Sequence, residues 1–302
     1  MRGRLLAVED LRDEDVSQIL RRAREHQLNR CRLGGSRQVD VPVVGLAFFQ
    51  TSLRTRVGFA SACARLGWSS VCVTEQRQSA TSMAESIEDS LRVLAGQSDV
   101  VVTRLPAPIS VAAAAVSSSP LINAGDGGLT CQHPTQALID LFTIEAECGP
   151  LEDLRVLVCG DLRGRSARSL FSVLTRFPPA SLAFISTPAL YDSSAAMELW
   201  LSRASEWSTD RDLSAFNVVY VTGIPHQAIP EDVRDTLRIT MPVMSRLRDD
   251  AVVLSPMPVI DEIDAEARLD RRMRFYRQSD NGLPVRMAIL EWAIAGINSG
   301  PF

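Results

Sequence analysis

The sequence predicts an α/β protein of two doubly wound parallel-sheet domains, with the active site in the cleft between them. Short apolar runs alternate with helix-like segments along the whole chain, which favours parallel sheets covered by helices on both faces. The 302 residues, 46% of them hydrophobic, are enough for one large domain or two of ordinary size. Because the alternation falls into two blocks joined near residue 148, we predict two domains.

The first block begins with an amphipathic helix over residues 11–27. Ser82 and Glu85 have the spacing of a capping box, which predicts that a helix over residues 83–96 opens there. The other predicted elements of this block are strands over residues 41–49, 69–73, 100–103 and 121–124 and helices over residues 56–67 and 110–117.

The second block follows a longer helix, residues 134–148, which has a proline in its first turn. Its other predicted elements are strands over residues 156–160, 182–186, 218–222 and 252–254 and helices over residues 166–176, 194–205 and 284–297. In doubly wound folds ligands bind beyond the carboxyl ends of the strands, so the residues at strand ends are the candidates for a site.

The charge and hydrophobicity of the chain argue against several classes of protein. Charged residues make up 23% of the chain and the net charge is −4, so nucleic acid and acidic membrane surfaces are not expected as the main partners. No apolar run approaches the roughly 18 residues of a membrane span, and the first acidic residue comes too early for a signal peptide. We therefore expect a cytoplasmic protein. All 32 basic residues are arginines, so no lysine amine is available for catalysis.

The turn after the first predicted strand has the features of a phosphate site. The unpaired N–H groups of a helix N-terminus favour anions. Ser52 and Thr55 add hydroxyl groups, and Arg54 and Arg56 add fixed positive charge. A solvated turn with two surface arginines would be the better interpretation of this turn alone. The segment His133-Pro134-Thr135-Gln136, which opens a helix in the same way, favours the functional interpretation.

Together these strand-end motifs resemble the aspartate/ornithine carbamoyltransferase family, and the aspartate branch more than the ornithine branch. The resemblance covers essentially the whole chain, and the Ser-x-Arg-Thr-Arg and His-Pro-x-Gln pair is its most specific part. The segments that carry it are Ser52–Arg56, Leu121–Gly127, Gln132–Ile144, Gly160-Asp161-Leu162, Ser255–Pro258 and Asn281–Arg286.

The resemblance implies a domain that binds carbamoyl phosphate, residues 1–133, on which the C-terminal helix, residues 284–302, packs back. Residues 134–283 would form the acceptor domain. Ser52, Leu53, Arg54, Thr55 and Arg104 would hold the phosphate, while His133 and Thr55 would donate hydrogen bonds to the carbonyl oxygen. Gln136 and the carbonyls of Pro256 and Met257 would bind the carbamoyl amide. The catalytic residues implied are Arg54, Thr55, Arg104 and His133, with no cofactor and no metal.

A loop that the family's aspartate enzymes exchange between subunits differs here. In those enzymes it carries a serine and a lysine that reach the phosphate of a neighbouring subunit, and here it corresponds to residues 74–81. Arg77 is its only cation, and Ser79 or Gln78 stands where the lysine would be. Arg77 either substitutes for that lysine or is a solvated loop charge. The family also implies a homotrimer with shared active sites.

The acceptor side departs further from the family pattern. Gly223 and Pro225 stand where aspartate enzymes place an arginine and a glutamine that hold the aspartate carboxylates. Arg165 matches the arginine that binds the acceptor's α-carboxylate. The acceptor motifs of the ornithine branch are absent.

We therefore expect a carbamoyltransferase that moves the carbamoyl group to an amine other than L-aspartate and gives a ureido product. Two alternatives stay open: a catalytically silent family member that binds carbamoyl phosphate or phosphate, and an ordinary aspartate carbamoyltransferase of pyrimidine biosynthesis. A nucleotide-binding oxidoreductase has little support, because Gly160-Asp161-Leu162-Arg163-Gly164 is not a GxGxxG motif.

Overall fold

A computed structural model describes residues 3–28, 41–74, 85–116 and 119–298. The chain divides into two compact units. Unit 1 comprises Met1–Leu138 and Asn281–Phe302, and unit 2 comprises Ile139–Asp280. Each unit has its own parallel sheet, so the predicted class of two parallel-sheet α/β domains is confirmed.

The sheet of unit 1 places its functional candidates at one edge. Among the described residues it has four parallel strands in the order β2-β1-β3-β4. Because Phe48 pairs with Arg104, and Thr103 with Asn123, the residues that follow these strands emerge at the same edge. The strands are β1 Val43–Phe48, β2 Ser69–Thr74, β3 Val100–Arg104 and β4 Leu121–Asn123.

Helices accompany this sheet, and most of their buried side chains are apolar. A short bridge between Leu5 and Ile122 adds the N-terminal segment beside β4. The described helices of the first block are α1 Asp13–Leu28, α2 Leu53–Leu66, α3 Ile87–Gly96 and α4 Ile109–Ala115.

Unit 2 repeats this architecture. Its described strands are all parallel and lie in the order β7-β6-β5-β8-β9, so the order reverses at β5. The strands are β5 Arg155–Cys159, β6 Ser181–Ile185, β7 Ser205–Glu206, β8 Val218–Val221 and β9 Val252–Leu254. The remaining helices are α5 Pro134–Cys148, α6 Arg165–Arg176, α7 Ala195–Arg203, α8 Glu231–Leu237, α9 Met241–Met244 and α10 Phe275–Asn298.

The C-terminal half of α10 is attached to α1 by a polar cluster. Arg22 Nε and Nη2 donate hydrogen bonds to the two carboxylate oxygens of Glu291, and His26 Nε2 lies 2.8 Å from Glu291 Oε2. Trp292 Nε1 donates to Asp15 Oδ1 at 3.2 Å. The C-terminal segment therefore completes unit 1, although most of unit 1 comes from the other end of the chain.

Three predicted helix starts are corrected by the structure. α2 begins at Leu53 rather than at residue 56, because Ser52 is extended and its carbonyl already accepts the N–H of Arg56. α3 begins at Ile87, where the Ser86 side chain accepts the N–H of Asp89, and Ser82 lies outside the described residues. α10 begins at Phe275 and contains Pro284 in its interior, where the sequence had suggested a start.

Candidate active site

The N-terminus of α2 has features that favour an anion. Ser52 is its N-cap, and within the described residues no side-chain oxygen of Ser52 caps an N–H group of the first turn. Instead the Ser52 hydroxyl donates to Thr55 Oγ1 at 3.0 Å. The two hydroxyls are thereby held together while the N–H groups of the first turn point along the helix axis toward the anion position. Leu53 is 69% exposed, so its side chain contributes little packing here.

Two arginines of unit 1 interact unfavourably beside this helix. Burial lowers the pKa of the half-buried Arg54. Burial, with the charge of Arg54, lowers the pKa of Arg286 to about 10. Arg286 is 5% exposed, its guanidinium lies over the Phe59 ring at 5.6 Å, and its Nε has no hydrogen-bond partner among the described residues. An anion beside these two arginines would offset the unfavourable interaction between their charges.

The close approach of Arg286 depends on a glycine in α2. A Cβ at Gly58 would lie 2.4 Å from Arg286 Nη1, which no real side chain tolerates without movement. Gly58 therefore makes room for the Arg286 guanidinium one turn after Arg54.

Arg104 and His133 orient each other at the end of β3. Arg104 Nη1 donates to the carbonyl of Ala124 at 3.0 Å and lies 3.4 Å from His133 Nε2. Since a guanidinium only donates, His133 Nε2 accepts in this pair. His133 Nδ1, 3.2 Å from Thr135 Oγ1, then carries the proton.

The loop between β4 and α5 holds this pair in place. Asp126 is buried and accepts hydrogen bonds from the N–H groups of Gln132 and Ile109. Gly125 has φ 108°, and a Cβ there would lie 2.6 Å from Arg104 Nη1. Only glycine combines that backbone conformation with such a close approach of the guanidinium.

A pocket of about 350 Å³ lies at the carboxyl ends of β5, β8 and β9 in unit 2. Its lining includes Arg165, Gly223, Pro225 and Pro256, so the three predicted acceptor residues share one cavity. Gly160, with φ 102°, allows adjacent strand ends to approach, because a Cβ there would lie 2.6 Å from the carbonyl oxygen of Thr222. A Cβ at Gly223, in contrast, would meet no atom within 4 Å, so a side chain has space to enter there.

Three carboxylates line this pocket, and two of them are paired with arginines of the protein. Asp161, Asp261 and Glu262 line it, and Arg165 is the only arginine among its described lining residues. His226 also lines it and lies 3.3 Å from Asp261 Oδ2. Hydrogen bonding from the buried Arg234 lowers the pKa of Asp261, which keeps that carboxylate ionised.

A buried hydrogen-bond network fixes the segment after β9. Ser255 Oγ accepts the N–H of Met257, which has φ 56°, a left-handed conformation that costs a non-glycine residue about 1 kcal/mol. Gln278 Oε1 accepts the N–H of Ser255, and Gln278 Nε2 donates to Asp140 Oδ1. Tyr220 donates to the other oxygen of Asp140, and burial together with the charge of Asp140 raises the pKa of Tyr220.

Three further expectations concern the loop residues predicted to be exchanged between subunits, metal sites and membrane helices. Arg77 and Ser79 of the predicted exchanged loop lie outside the described residues. Within the described ranges, no group of three or more histidine, cysteine, aspartate or glutamate side chains is arranged to hold a metal ion. In the same ranges, no helix is both long and apolar enough to cross a membrane.

Comparison with known proteins identifies the family. Residues 4–146 match the carbamoyl-phosphate-binding domain of aspartate/ornithine carbamoyltransferases, and residues 152–293 match the aspartate/ornithine-binding domain. The chain belongs to the aspartate/ornithine carbamoyltransferase family. The catalytic subunit of aspartate carbamoyltransferase from Archaeoglobus fulgidus is 34% identical over 297 residues, which cover 96% of this chain and 98% of that protein.

Solved structures agree with this membership. The catalytic subunit of aspartate transcarbamoylase from M. jannaschii has a TM-score of 0.85 and 31% identity, covering 99% of this chain and 100% of that one. Aspartate transcarbamoylase from Trypanosoma cruzi, in complex with carbamoyl phosphate and aspartate, has a TM-score of 0.80 and 26% identity, covering 97% and 96% of the two chains. The likeness to these two-domain structures therefore extends over nearly the whole chain.

Sequence reasoning missed two residues of this family member. Arg286 was part of a matching segment without a role, although an arginine inside the apolar run Val285–Leu290 is itself a signal. Glu262, which lines the pocket and is 1% exposed, follows Asp261 in a stretch that gave no sign of burial. The local sequence contains no signal for Glu262, because its burial depends on the strand ends that surround it.

Proposed function

We propose that this protein transfers the carbamoyl group from carbamoyl phosphate to an amine other than L-aspartate, giving a ureido product and phosphate. The observation that carries the proposal is the pair of low-exposure arginines, Arg54 and Arg286, beside the uncapped N-terminus of α2. This arrangement suits a phosphate dianion, and relatives with both substrates bound support the same chemistry here.

In the proposed reaction the amine nitrogen attacks the carbonyl carbon of carbamoyl phosphate. The C–N bond forms, the C–O bond to phosphate breaks, and phosphate leaves with the proton from the amine. The N–H groups at Ser52 and Leu53, with the side chains of Arg54, Thr55 and Arg104, would hold the phosphate. Hydrogen bonds to the developing oxyanion are typically the largest electrostatic contribution to such a step.

His133 and Thr55 would supply those hydrogen bonds. His133 Nε2 accepts from Arg104 in the structure. It would donate to the carbonyl oxygen once the guanidinium turns to the phosphate and the proton moves to Nε2. Gln136 and the carbonyls of Pro256 and Met257 would receive the carbamoyl amide. The left-handed backbone at Met257 supports this role, because such strain recurs at functional sites.

The acceptor argument rests on the pocket of unit 2. Gly223 and Pro225 provide no side-chain cation, and Arg165 is the only arginine among the described residues that line the pocket. Arg165 would hold one carboxylate of an acceptor, and no second guanidinium of this described lining would receive another. L-Aspartate is therefore the poorer acceptor under this proposal, although the names of the relatives favour it.

The test is transfer of labelled carbamoyl phosphate into L-aspartate, L-ornithine and a broad panel of amines. We expect label in an amine other than aspartate and none with the Arg54→Ala variant. Efficient labelling of aspartate would make the protein an ordinary aspartate carbamoyltransferase. Tight binding of carbamoyl phosphate without transfer to any amine would indicate a catalytically silent member.

We also propose a cytoplasmic homotrimer whose active sites are completed by Arg77 and Ser79 of a neighbouring subunit. A mixture of Arg54→Ala and Arg77→Ala subunits tests this assembly. If sites are shared, hybrid trimers recover part of the activity that each variant lacks alone. A light-scattering mass equal to that of a monomer would contradict the proposed trimer. Hybrid trimers that recover no activity would contradict the sharing of active sites.

A further inference from the structure

A buried chain of hydrogen bonds in unit 2 ends on the segment that follows β9. Asp140 of α5, Gln278 of α10 and Ser255 are each at most 1% exposed. Gln278 Nε2 donates to Asp140 Oδ1 at 2.6 Å, and Gln278 Oε1 accepts the N–H of Ser255 at 3.0 Å. Ser255 Oγ in turn accepts the N–H of Met257 at 3.1 Å. The chain therefore runs from a buried carboxylate to one peptide bond, which joins Pro256 to Met257.

The last of these hydrogen bonds fixes the direction of a carbonyl group. The peptide bond between Pro256 and Met257 is planar and trans, so its C=O points away from its N–H. Because the Ser255 hydroxyl holds the N–H on one side, the Pro256 carbonyl oxygen must point to the other. Pro256 lines the pocket of unit 2, whereas Ser255 is 1% exposed. The hydroxyl is therefore placed to orient the carbonyl without contacting a ligand itself.

The conformation of this segment needs support from the rest of the unit. Met257 has φ 56°, which is unfavourable for a residue with a side chain. Gln278 holds the Ser255 backbone, and its own amide has a single orientation here, since only its oxygen accepts and only its NH₂ donates. Tyr220 donates to the second oxygen of Asp140 at 2.8 Å and so holds the carboxylate at the start of the chain. Each hydrogen bond from Asp140 to Met257 therefore has a defined donor and acceptor.

We propose that Ser255 is a positioning residue for the carbamoyl amide, and that Gln278 and Asp140 hold it in place. The Ser255 hydroxyl aims the Pro256 carbonyl at an N–H of the amide, so that a carbamoyl group is preferred over an acyl group of the same shape. This inference rests on the proposed function, in which the carbonyls of Pro256 and Met257 receive the amide. A methyl group in place of the NH₂ donates no hydrogen bond and would leave the aimed carbonyl unpaired.

A matched pair of phosphonates tests the inference by binding, without transfer. Phosphonoacetamide and 2-oxopropylphosphonate carry a methylene group in place of the bridging oxygen of carbamoyl phosphate and of acetyl phosphate. They differ only in an NH₂ group against a methyl group. In titration calorimetry on the full-length wild-type protein, we expect phosphonoacetamide to bind about 10-fold or more tightly than its partner. Inorganic phosphate, which has neither group, is the reference ligand.

The Ser255→Ala variant shows whether the hydroxyl is the cause. Alanine removes the acceptor for the N–H of Met257 and adds no atom. The preference for phosphonoacetamide should fall to about 2-fold or less, while the Kd values of inorganic phosphate and 2-oxopropylphosphonate stay within about 2-fold of the wild type. Ser255→Thr keeps a hydroxyl and should restore most of the preference. Ser172→Ala, which removes the hydroxyl of another buried serine of unit 2, in α6, is the matched control and should keep all of it.

Equal affinities of the wild-type protein for the two phosphonates would overturn the inference, as would a preference that survives in Ser255→Ala. Loss of affinity for both phosphonates and for phosphate alike would also overturn it, because it would show a structural role alone. If Ser255→Ala does not fold, Gln278→Leu, which leaves the N–H of Ser255 without its acceptor, carries the same expectation. Carbamoyl transfer is measured separately. Its absence with every amine would contradict the proposed function, whereas the preference between the phosphonates decides the role of Ser255.

Discussion

At the residue scale, Arg286 carries a buried charge that destabilises the fold of unit 1. Arg286 has no carboxylate partner among the residues that the structure describes, and burial lowers its pKa to about 10. At neutral pH the side chain is charged in both the folded and the unfolded state. Because the folded-state pKa is lowered, the charge destabilises the fold at any pH below about 10, and stability rises as pH increases beyond it.

Replacing Arg286 with methionine should therefore change stability and affinity in opposite directions. We expect the Tm to rise, since an uncompensated charge leaves the interior of unit 1. The KM for carbamoyl phosphate should increase about 10-fold, with a smaller change in kcat, since a cation is lost beside the phosphate position.

Differential scanning calorimetry and steady-state kinetics measure the two effects. Arg92→Met, which removes an exposed arginine from α3, serves as the control for a general loss of charge. A lower Tm for Arg286→Met together with an unchanged KM would show that Arg286 is a structural residue alone.

We also expect single residues to determine which acceptor is used. Introducing Gly223→Arg and Pro225→Gln together restores the side chains that the resemblance assigns to the aspartate enzymes. Space exists for the arginine, because no atom lies within 4 Å of a Cβ at Gly223. We expect kcat/KM for L-aspartate to increase by about 10-fold or more, because a carboxylate gains a guanidinium partner.

The same assay with Gly223→Leu distinguishes charge from size. Leucine fills the space without a cation and should leave aspartate as poor an acceptor as before. An equal gain with leucine and arginine would mean that packing, not charge, limits aspartate.

At the element scale, the attachment of α10 to α1 depends on Glu291. Burial raises the pKa of this carboxyl, but hydrogen bonds from His26 and Arg22 outweigh it and leave the pKa below its ordinary value. A lowered folded-state pKa means that the stabilisation is present above the unfolded value of about 4.5 and is lost as pH falls through the folded value.

Glu291→Gln should accordingly reduce the free energy of unfolding by about 1–2 kcal/mol at pH 7. The deficit relative to the wild type should shrink as pH falls below about 4, where the wild-type carboxyl is also protonated. Urea unfolding at several pH values measures this difference in the free energy of unfolding. Glu198→Gln, at an exposed position of α7, serves as the control. A deficit that does not change with pH would indicate lost packing rather than a lost charge.

Element identity was largely predictable from the sequence, and so was the start of α5 at Pro134, whereas the starts of α2, α3 and α10 were not. The apolar runs of β1, β3 and β5 identify buried parallel strands, since both of their faces are covered. The start of α2 depended on the extended conformation of Ser52, and α10 continued through Pro284. At α2 the start follows from the local hydrogen bond between the Ser52 carbonyl and the Arg56 N–H group, which the residue pattern alone did not indicate.

At the scale of the whole molecule, the sequence predicted the strand-end residues but not the contacts that hold them. Arg104 and His133 were predicted as partners in one site, and they lie in contact. The network from Asp140 to Gln278 and Tyr220 joins positions far apart in the sequence, and no local pattern indicates it. The local sequence does not indicate Glu262 either, since its burial is a property of the folded unit, whereas the apolar run around Arg286 is a local signal of burial.

We propose that this chain keeps the phosphate-binding half of a carbamoyltransferase and has an altered acceptor pocket. The most direct test is kcat/KM for L-aspartate, measured with saturating carbamoyl phosphate beside the M. jannaschii catalytic subunit under the same conditions. We expect the value for this protein to be lower by about 100-fold or more, equivalent to about 2.7 kcal/mol of transition-state stabilisation. Equal values for the two proteins would contradict the claim and make Gly223 and Pro225 neutral replacements.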